Sequence, residues 1–167
     1  MRNDIVKNII FVTSLILAVT WMCAIFGFSA NNAEESTMQS NGVTEFLIKV
    51  FNPDFDDLSE EEKKEMIESY DGIVRKLAHF CAYALLGFLL CVCICHAPFA
   101  ANPVYLWPIL ISVAFAATDE FHQTFVDGRA GRFTDVLIDS AGTVCGVIFV
   151  WMTMQVIKKK TRSKRGS

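Results

Sequence analysis

The chain has 167 residues, of which 53% are hydrophobic, and its formal net charge is −3. At a mean hydropathy of +0.38, a soluble domain of this length would expose too much apolar surface, so the composition favours the membrane class. Charge is also segregated along the chain, because residues 31–74 contain twelve acids and three bases, whereas residues 158–167 contain six bases and no acid.

Four hydrophobic runs are long enough to cross a bilayer, which takes about 20 apolar residues. They cover residues 9–28, 77–97, 104–125 and 136–157. Because hydrocarbon offers the backbone no hydrogen-bond partner, each run is expected to be a helix. The first run is longer than the apolar core of a signal peptide, which favours a retained anchor over a cleaved leader. We therefore predict an all-α, polytopic membrane protein with four transmembrane helices in a single domain, 1–167.

The acidic segment 31–74 forms the connection between the first and second spans. Two stretches in it are weakly amphipathic: residues 43–51, and residues 59–73, which open with the capping-box pattern Ser59-x-x-Glu62. We expect a partly helical outer loop that packs on the outer membrane face. Its charge is interpreted as a solvated surface in preference to a ligand site.

Lysine and arginine near the ends of the spans predict the orientation. Two bases precede the first span, and six follow the fourth in the tail 158–167. An even number of spans places both termini on one side, and the excess of bases makes that side the cytoplasm. The expected protein crosses the plasma membrane several times, with both termini cytoplasmic and the acidic loop outside.

Polar residues of the last three spans are predicted to meet at one depth, near the outer surface. Residues four apart share a helical face, and the inner halves of the same spans carry almost no charge. The residues concerned are Lys76, His79, Tyr83, Asp119, Glu120, His122, Gln123, Asp135 and Asp139, with Arg129 and Arg132 in the loop that follows the third span. Because ionisable groups are costly inside a membrane, their convergence predicts a functional site.

Two glycines continue the face of the fourth span that carries the aspartates. Gly142 and Gly146 follow Asp135 and Asp139 at helical spacing, and a pair of glycines four apart lets another helix approach closely. Both aspartates should therefore point into the protein and away from lipid.

Bases beside this cluster favour an anionic ligand. Lys76, Arg129 and Arg132 lie near the outer membrane ends, against the usual bias of such residues. Arginine offers a planar fork for phosphate and lysine a point charge, which fits a lipid phosphate. A purely structural network stays open as an alternative, because polar groups also bond across membrane helices, at about 1 kcal/mol or less each.

Two chemical interpretations of the cluster are weaker. His79, Glu120, His122, Asp135 and Asp139 include metal-ligand types, but no HExxH pair occurs and the spacing is not diagnostic, so no metal site is predicted. General base catalysis by His79, oriented by Asp119 or Glu120, is the enzyme alternative.

No serine or cysteine stands in an obvious nucleophile motif. Ser29, at the outer end of the first span, is close enough to reach the site. A polar residue at a helix end is nevertheless the simpler interpretation of Ser29.

Two stretches together carry a long and specific pattern. The first reads K-x-x-H-F-x-x-Y and runs from Lys76 to Tyr83. The second reads D-E-x-x-Q, then G-R, then D-x-x-x-D-x-x-G, and runs from Asp119 to Gly142. They resemble the VanZ-like family of small bacterial membrane proteins over the second to fourth spans. Asp139 stands where asparagine is common in the family and adds a possible charge there; Asp127, where proline is common, matters little.

The resemblance implies a role at the bacterial cell envelope. The family's named member is associated with low-level resistance to teicoplanin, a glycopeptide that binds cell-wall precursors. By resemblance, this chain binds or modifies an anionic lipid or a cell-wall precursor at the outer leaflet, which in some members lowers glycopeptide action. The expected partners are membrane lipids and a lipid-linked precursor, with neither a cofactor nor a nucleic acid.

The site residues receive hypothetical roles on this basis, and two alternatives stay open. Lys76, Arg129 and Arg132 would hold the anionic group; His79, Glu120 and Asp135 would position it or carry protons; Tyr83, Gln123 and Asp139 would orient the others. The alternatives are an intramembrane lipid hydrolase or transferase that uses His79 with Asp119 or Glu120, and a non-catalytic scaffold with a structural polar network. The sequence does not decide whether the protein is an enzyme.

Overall fold

The computed structural model describes residues 2–31, 33–98, 104–127 and 131–165, and these ranges contain helices and no strand. Five α-helices occur in chain order, with one short 3-10 helix, Pro53–Asp57, between the second and third. They are α1 (Arg2–Ser29), α2 (Ala33–Phe51), α3 (Glu60–His96), α4 (Leu106–Gln123) and α5 (Phe133–Arg165). The all-α prediction is confirmed.

Three of the helices are long and apolar enough to cross a membrane, which indicates a membrane protein. The qualifying segments are Asp4–Ser29, Glu60–His96 and Phe133–Ser163. They contain the predicted spans 9–28 and 136–157 and nearly all of 77–97. The predicted third span corresponds to α4, which has 18 residues and is not among the qualifying segments. Four of its last five residues are polar.

α3 is a single helix of 37 residues and is much longer than the predicted second span. It continues through the stretch that we predicted as part of the outer loop, because no proline interrupts the chain between Pro53 and Pro98. At 1.5 Å per residue it is about 55 Å long, against roughly 30 Å of hydrocarbon in a bilayer. The apolar part of α3 is long enough to cross a bilayer. The first turns of the helix would then extend beyond the hydrocarbon.

The first turn of α3 is held by the predicted capping box. The Ser59 hydroxyl accepts a hydrogen bond from the backbone N–H of Glu62 at 3.3 Å, and the Glu62 carboxylate accepts one from the backbone N–H of Ser59 at 2.9 Å. Two otherwise unpaired donors are thereby satisfied. The pattern in the sequence located this helix start correctly.

α2 packs against the first turns of α3. The Ser40 hydroxyl donates a hydrogen bond to the Asp71 carboxylate, and the Asn52 amide lies 3.9 Å from the Met66 sulfur. Ser40 contacts Asp71, whereas Asn52, later in the chain, contacts the earlier residue Met66. The two segments therefore run in opposite directions. Phe55, 1% exposed, closes the end of this hairpin.

α3 and α5 approach one another to backbone contact. A Cβ added to Gly142 would collide with the carbonyl oxygen of Phe80, and one added to Gly146 would collide with that of Ala84. Only glycine leaves room for this approach, so the predicted close-packing surface is confirmed. The later glycine of α5 contacts the later residue of α3. The two helices are therefore parallel.

Candidate functional site

The end of α4 carries three buried polar side chains. Asp119 is 0%, Glu120 5% and Gln123 6% exposed. The Gln123 amide donates to the Ser29 hydroxyl at 2.7 Å and, more weakly, to the Asp119 carboxylate at 3.4 Å. Because Ser29 is the last residue of α1 and is itself buried, these bonds join the ends of two helices.

Glu120 is held from the other side by the chain that leads into α5. The backbone N–H of Arg132 donates to the Glu120 carboxylate at 2.8 Å. Gly131 lies so close to the Glu120 carbonyl oxygen that a Cβ there would collide with it. The segment before α5 is thus folded tightly over the end of α4, while the Arg132 side chain is exposed.

His79 and Asp139 bring α3 and α5 together at the same end of the protein. The His79 Nδ1 lies 3.7 Å from Oδ1 of Asp139, whose side chain is 0% exposed, whereas that of His79 is 28% exposed. This separation is within ion-pair range but too long for a hydrogen bond. Sequence analysis expected Asp119 or Glu120 to orient His79, and the structure places Asp139 at contact distance from it.

Tyr83 lies one turn below His79 and is fully buried. Its hydroxyl is within electrostatic reach of Asp119, Asp139 and Glu120. The predicted grouping of polar residues from three helices is therefore present, and Ser29 adds the fourth, α1. Asp139 likewise interacts electrostatically with Glu120, Asp119 and Asp135, which places Asp135 at the edge of the same group.

The predicted site residues divide into a buried set and a peripheral set. Asp135 is half-buried, and Lys76 and Arg132 are exposed, so these two bases do not lie among the buried acids. Arg129 lies outside the described residues. His122 is half-buried and faces α1, where its ring lies 4.5 Å from that of Phe26.

Sequence analysis missed a deeper polar pair. The Ser112 and Thr143 hydroxyls are 2.7 Å apart, both residues are fully buried, and Thr143 also donates to the carbonyl oxygen of Asp139 at 3.1 Å. Serine and threonine are common in membrane helices and belong to no motif here. The position of Thr143, four residues after Asp139 on the same face, was the one available signal.

Several buried polar atoms of the site have no hydrogen-bond partner among the residues that the structure describes. They are the Tyr83 hydroxyl, Asp119 Oδ1, His122 Nδ1 and both carboxylate oxygens of Asp139. Burying polar groups without partners is costly, so each such group calls for a proton, a water or a ligand. Within the same described ranges, no group of three or more histidine, cysteine, aspartate and glutamate side chains is arranged to hold a metal ion.

A comparison with protein-family models adds one finding. The model described as VanZ/LLP1 matches residues 14–155, a range that contains every residue of the site. Neither the curated proteins nor the solved structures give a match.

Proposed function

The chain belongs to the VanZ/LLP1 family, and from that membership we propose that it is a cell-envelope protein of the bacterial plasma membrane. In this proposal it binds, or helps to modify, an anionic lipid or a lipid-linked cell-wall precursor at the outer leaflet. The observation that carries the proposal is the burial of Asp119, Glu120 and Asp139 together at one end of the helices. Groups so costly to bury are retained in membrane helices mainly for function.

The proposed topology has four spans, with α4 as the third. α1 and α3 run in opposite directions, because Trp21 donates to the carbonyl oxygen of Ala82 at 2.9 Å whereas Cys93 lies beside Phe11. α3 and α5 are parallel, so the chain between them has to return across the same thickness. The 18 residues of α4 reach about 27 Å, close to the hydrocarbon thickness.

The excess of bases in the tail then places both termini in the cytoplasm and the site beneath the outer surface. α2 would lie on the outer face, since one stripe of it is apolar and exposed. Val43 is 53%, Phe46 65% and Val50 57% exposed, at the spacing of a single helical face. Such a helix binds the boundary between headgroups and acyl chains.

The bases at the edge of the site would bind the phosphate of the ligand. Lys76 is one turn before His79 on α3, and Arg132 donates its backbone N–H to Glu120. Their exposure leaves them accessible to a headgroup, and arginine and lysine both pair well with phosphate. Arg129 keeps the same predicted role. His79, Glu120 and Asp135 would then position the ligand or carry protons, with Tyr83, Gln123 and Asp139 as orienting groups.

The test compares wild type with His79→Ala at matched membrane abundance, reading both lipid composition and teicoplanin susceptibility. His96→Ala is the matched control, because His96 lies at the opposite end of α3 and contacts the carbonyl oxygen of its own helix at Val92. We expect cells with wild type or His96→Ala to differ from cells without the protein in lipid composition, in teicoplanin susceptibility or in both. Cells with His79→Ala should resemble cells without the protein. Equal behaviour of His79→Ala and wild type would refute the proposal.

A second candidate is an intramembrane lipid hydrolase or transferase, which the contact between His79 and Asp139 favours. An imidazole facing a buried carboxylate can act as a general base. In this candidate the nucleophile would be water or a substrate hydroxyl, activated by His79. This candidate requires lipid turnover by the purified protein, lost in His79→Ala while lipid binding persists.

A further inference from the structure

We propose that the buried part of the site takes a primary ammonium group, so that the preferred ligand is a phosphate-bearing lipid headgroup with a free amine. The inference rests on the proposed function and deepens it. The bases at the edge would hold the phosphate, and the buried carboxylates would hold the amine of the same headgroup.

Charge is distributed in two layers across the described part of the site. Asp119 and Asp139 are 0% exposed and Glu120 is 5% exposed, whereas Lys76 and Arg132 are exposed. Inside a membrane protein the dielectric screening is weak, so an anion that entered among the carboxylates would be strongly repelled. A phosphate is therefore expected to stay at the edge, and a positive group is expected to go inside.

The atoms without a hydrogen-bond partner among the described residues have the character that an ammonium group requires. One of them, Oδ1 of Asp139, also faces His79 Nδ1 at 3.7 Å. Three of them are carboxylate oxygens, Oδ1 of Asp119 and both of Asp139, which accept hydrogen bonds when ionised. An ammonium group has three donors and no acceptor. The three carboxylate oxygens therefore match the three N–H donors of one primary ammonium group.

Tyr83 gives an observation that is independent of the acids. Its side chain is 0% exposed, and its hydroxyl has no hydrogen-bond partner among the described residues. The hydroxyl nevertheless lies within electrostatic reach of Asp119 and Asp139. A buried tyrosine normally bonds through its hydroxyl, and an ammonium group beside these carboxylates would supply the missing donor.

Related headgroups discriminate this inference from simpler ones. A trimethylated amine keeps the positive charge but has no N–H donor, and a glycerol headgroup has donors but no positive charge. Phosphatidylethanolamine, phosphatidylcholine and phosphatidylglycerol with identical acyl chains therefore separate the contributions of the donor and of the charge. Each also carries the phosphate on which the proposed function depends.

The experiment titrates these three lipids into the detergent-solubilised full-length chain and counts bound lipid by native mass spectrometry. We expect wild type to bind phosphatidylethanolamine roughly tenfold more tightly than either of the others, as one charge-assisted hydrogen bond implies. Asp139→Asn should remove this preference and retain phosphate-dependent binding. Glu68→Gln, which neutralises an exposed acid of α3 outside the site, should retain the preference.

The outcomes separate the inference from the proposed function. If phosphatidylglycerol or phosphatidylcholine binds as tightly as phosphatidylethanolamine, the ammonium site is wrong while lipid binding stands. If none of the lipids binds wild type more tightly than it binds Lys76→Ala, the proposed function fails and the inference fails with it. The comparison of lipids on wild type decides the matter even if Asp139→Asn does not fold.

Discussion

His79 and Asp139 face each other across the contact between α3 and α5, with Nδ1 and Oδ1 3.7 Å apart. The two helices are fixed at this distance by glycines one and two turns deeper, at 142 and 146, which bring the backbones into contact. The packing of the helices therefore sets the geometry of the site. A change in the glycine contacts should therefore alter the distance between His79 and Asp139.

Gly146→Ala should destabilise the protein strongly. Its Cβ would collide with the backbone carbonyl of Ala84, which cannot move aside as a side chain can, and overpacking of this kind costs about 1–3 kcal/mol. Thermal unfolding of the detergent-solubilised protein measures the effect. Gly72→Ala is the matched control, because nothing lies within 4 Å of its added Cβ, and alanine is the better helix former by about 1 kcal/mol. Equal melting temperatures for the two variants would contradict the close packing.

The bond between Gln123 and Ser29 should appear as a coupling between α4 and α1. We expect Ser29→Ala and Gln123→Ala each to lower the free energy of unfolding, and the double variant to lose less than their sum. The coupling should be about 0.6–1.7 kcal/mol, the range for hydrogen bonds across membrane helices. Additive losses would mean that the 2.7 Å contact contributes no net stability.

The capping box should act locally and leave the site unaffected. Ser59→Ala removes the hydroxyl that accepts from Glu62 and should cost about 1 kcal/mol, a typical loss for a helix cap. Hydrogen exchange should become faster in the first turn of α3 and stay unchanged around His79. Faster exchange at both places would show that the first turns of α3 and the site unfold as one unit.

Cysteine labelling tests the depth of the site and the orientation of the chain together. Single cysteines at positions 79, 120 and 135, in a background without the native six, should react more slowly than an exposed position with a membrane-impermeant reagent added outside. Ser59→Cys should react fast from outside, and Thr161→Cys only after the membrane is opened. Different depths for the three site positions, or labelling of position 161 from outside, would exclude the proposed topology.

The scaffold alternative and the lipid-binding proposal predict different results for His79→Ala and Lys76→Ala. If the polar network only holds the helices together, His79→Ala should lower the melting temperature, and neither variant should change lipid binding. If the network binds lipid, Lys76→Ala should keep its stability, because its side chain is exposed, and should lose affinity for lipids that carry phosphate. Measuring lipid binding and melting temperature on the same sample distinguishes the two cases.

The sequence indicated which polar residues lie close together better than it indicated the extent of the helices that carry them. Helical spacing identifies which residues share a face, so His79, Asp119 and Asp139 could be grouped correctly. Spacing does not give the distance between faces of different helices, and for this reason Asp139 was not expected to be the carboxylate at contact distance from His79. The glycine pair was predictable because its effect depends on one helix alone.

The extent of α3 could not be derived in the same way. A change from polar to apolar composition after residue 74 was interpreted as an element boundary, but a helix needs only continuous backbone hydrogen bonds and the absence of breakers. α2 likewise begins ten residues before its predicted amphipathic stretch 43–51. Hydropathy locates where a helix enters the bilayer, and it does not locate where the helix begins.

The unbroken course of α3 has a mechanical consequence. From Glu60 to His79 it is one rigid rod of roughly 28 Å, at 1.5 Å per residue. Because the glycine contacts hold α3 against α5 beside His79, a tilt of about 5° about that level would displace Glu60 by roughly 2.5 Å. A displacement of the hairpin that α2 forms with α3 would therefore be transmitted through a rigid helix to the packing around His79 and Asp139.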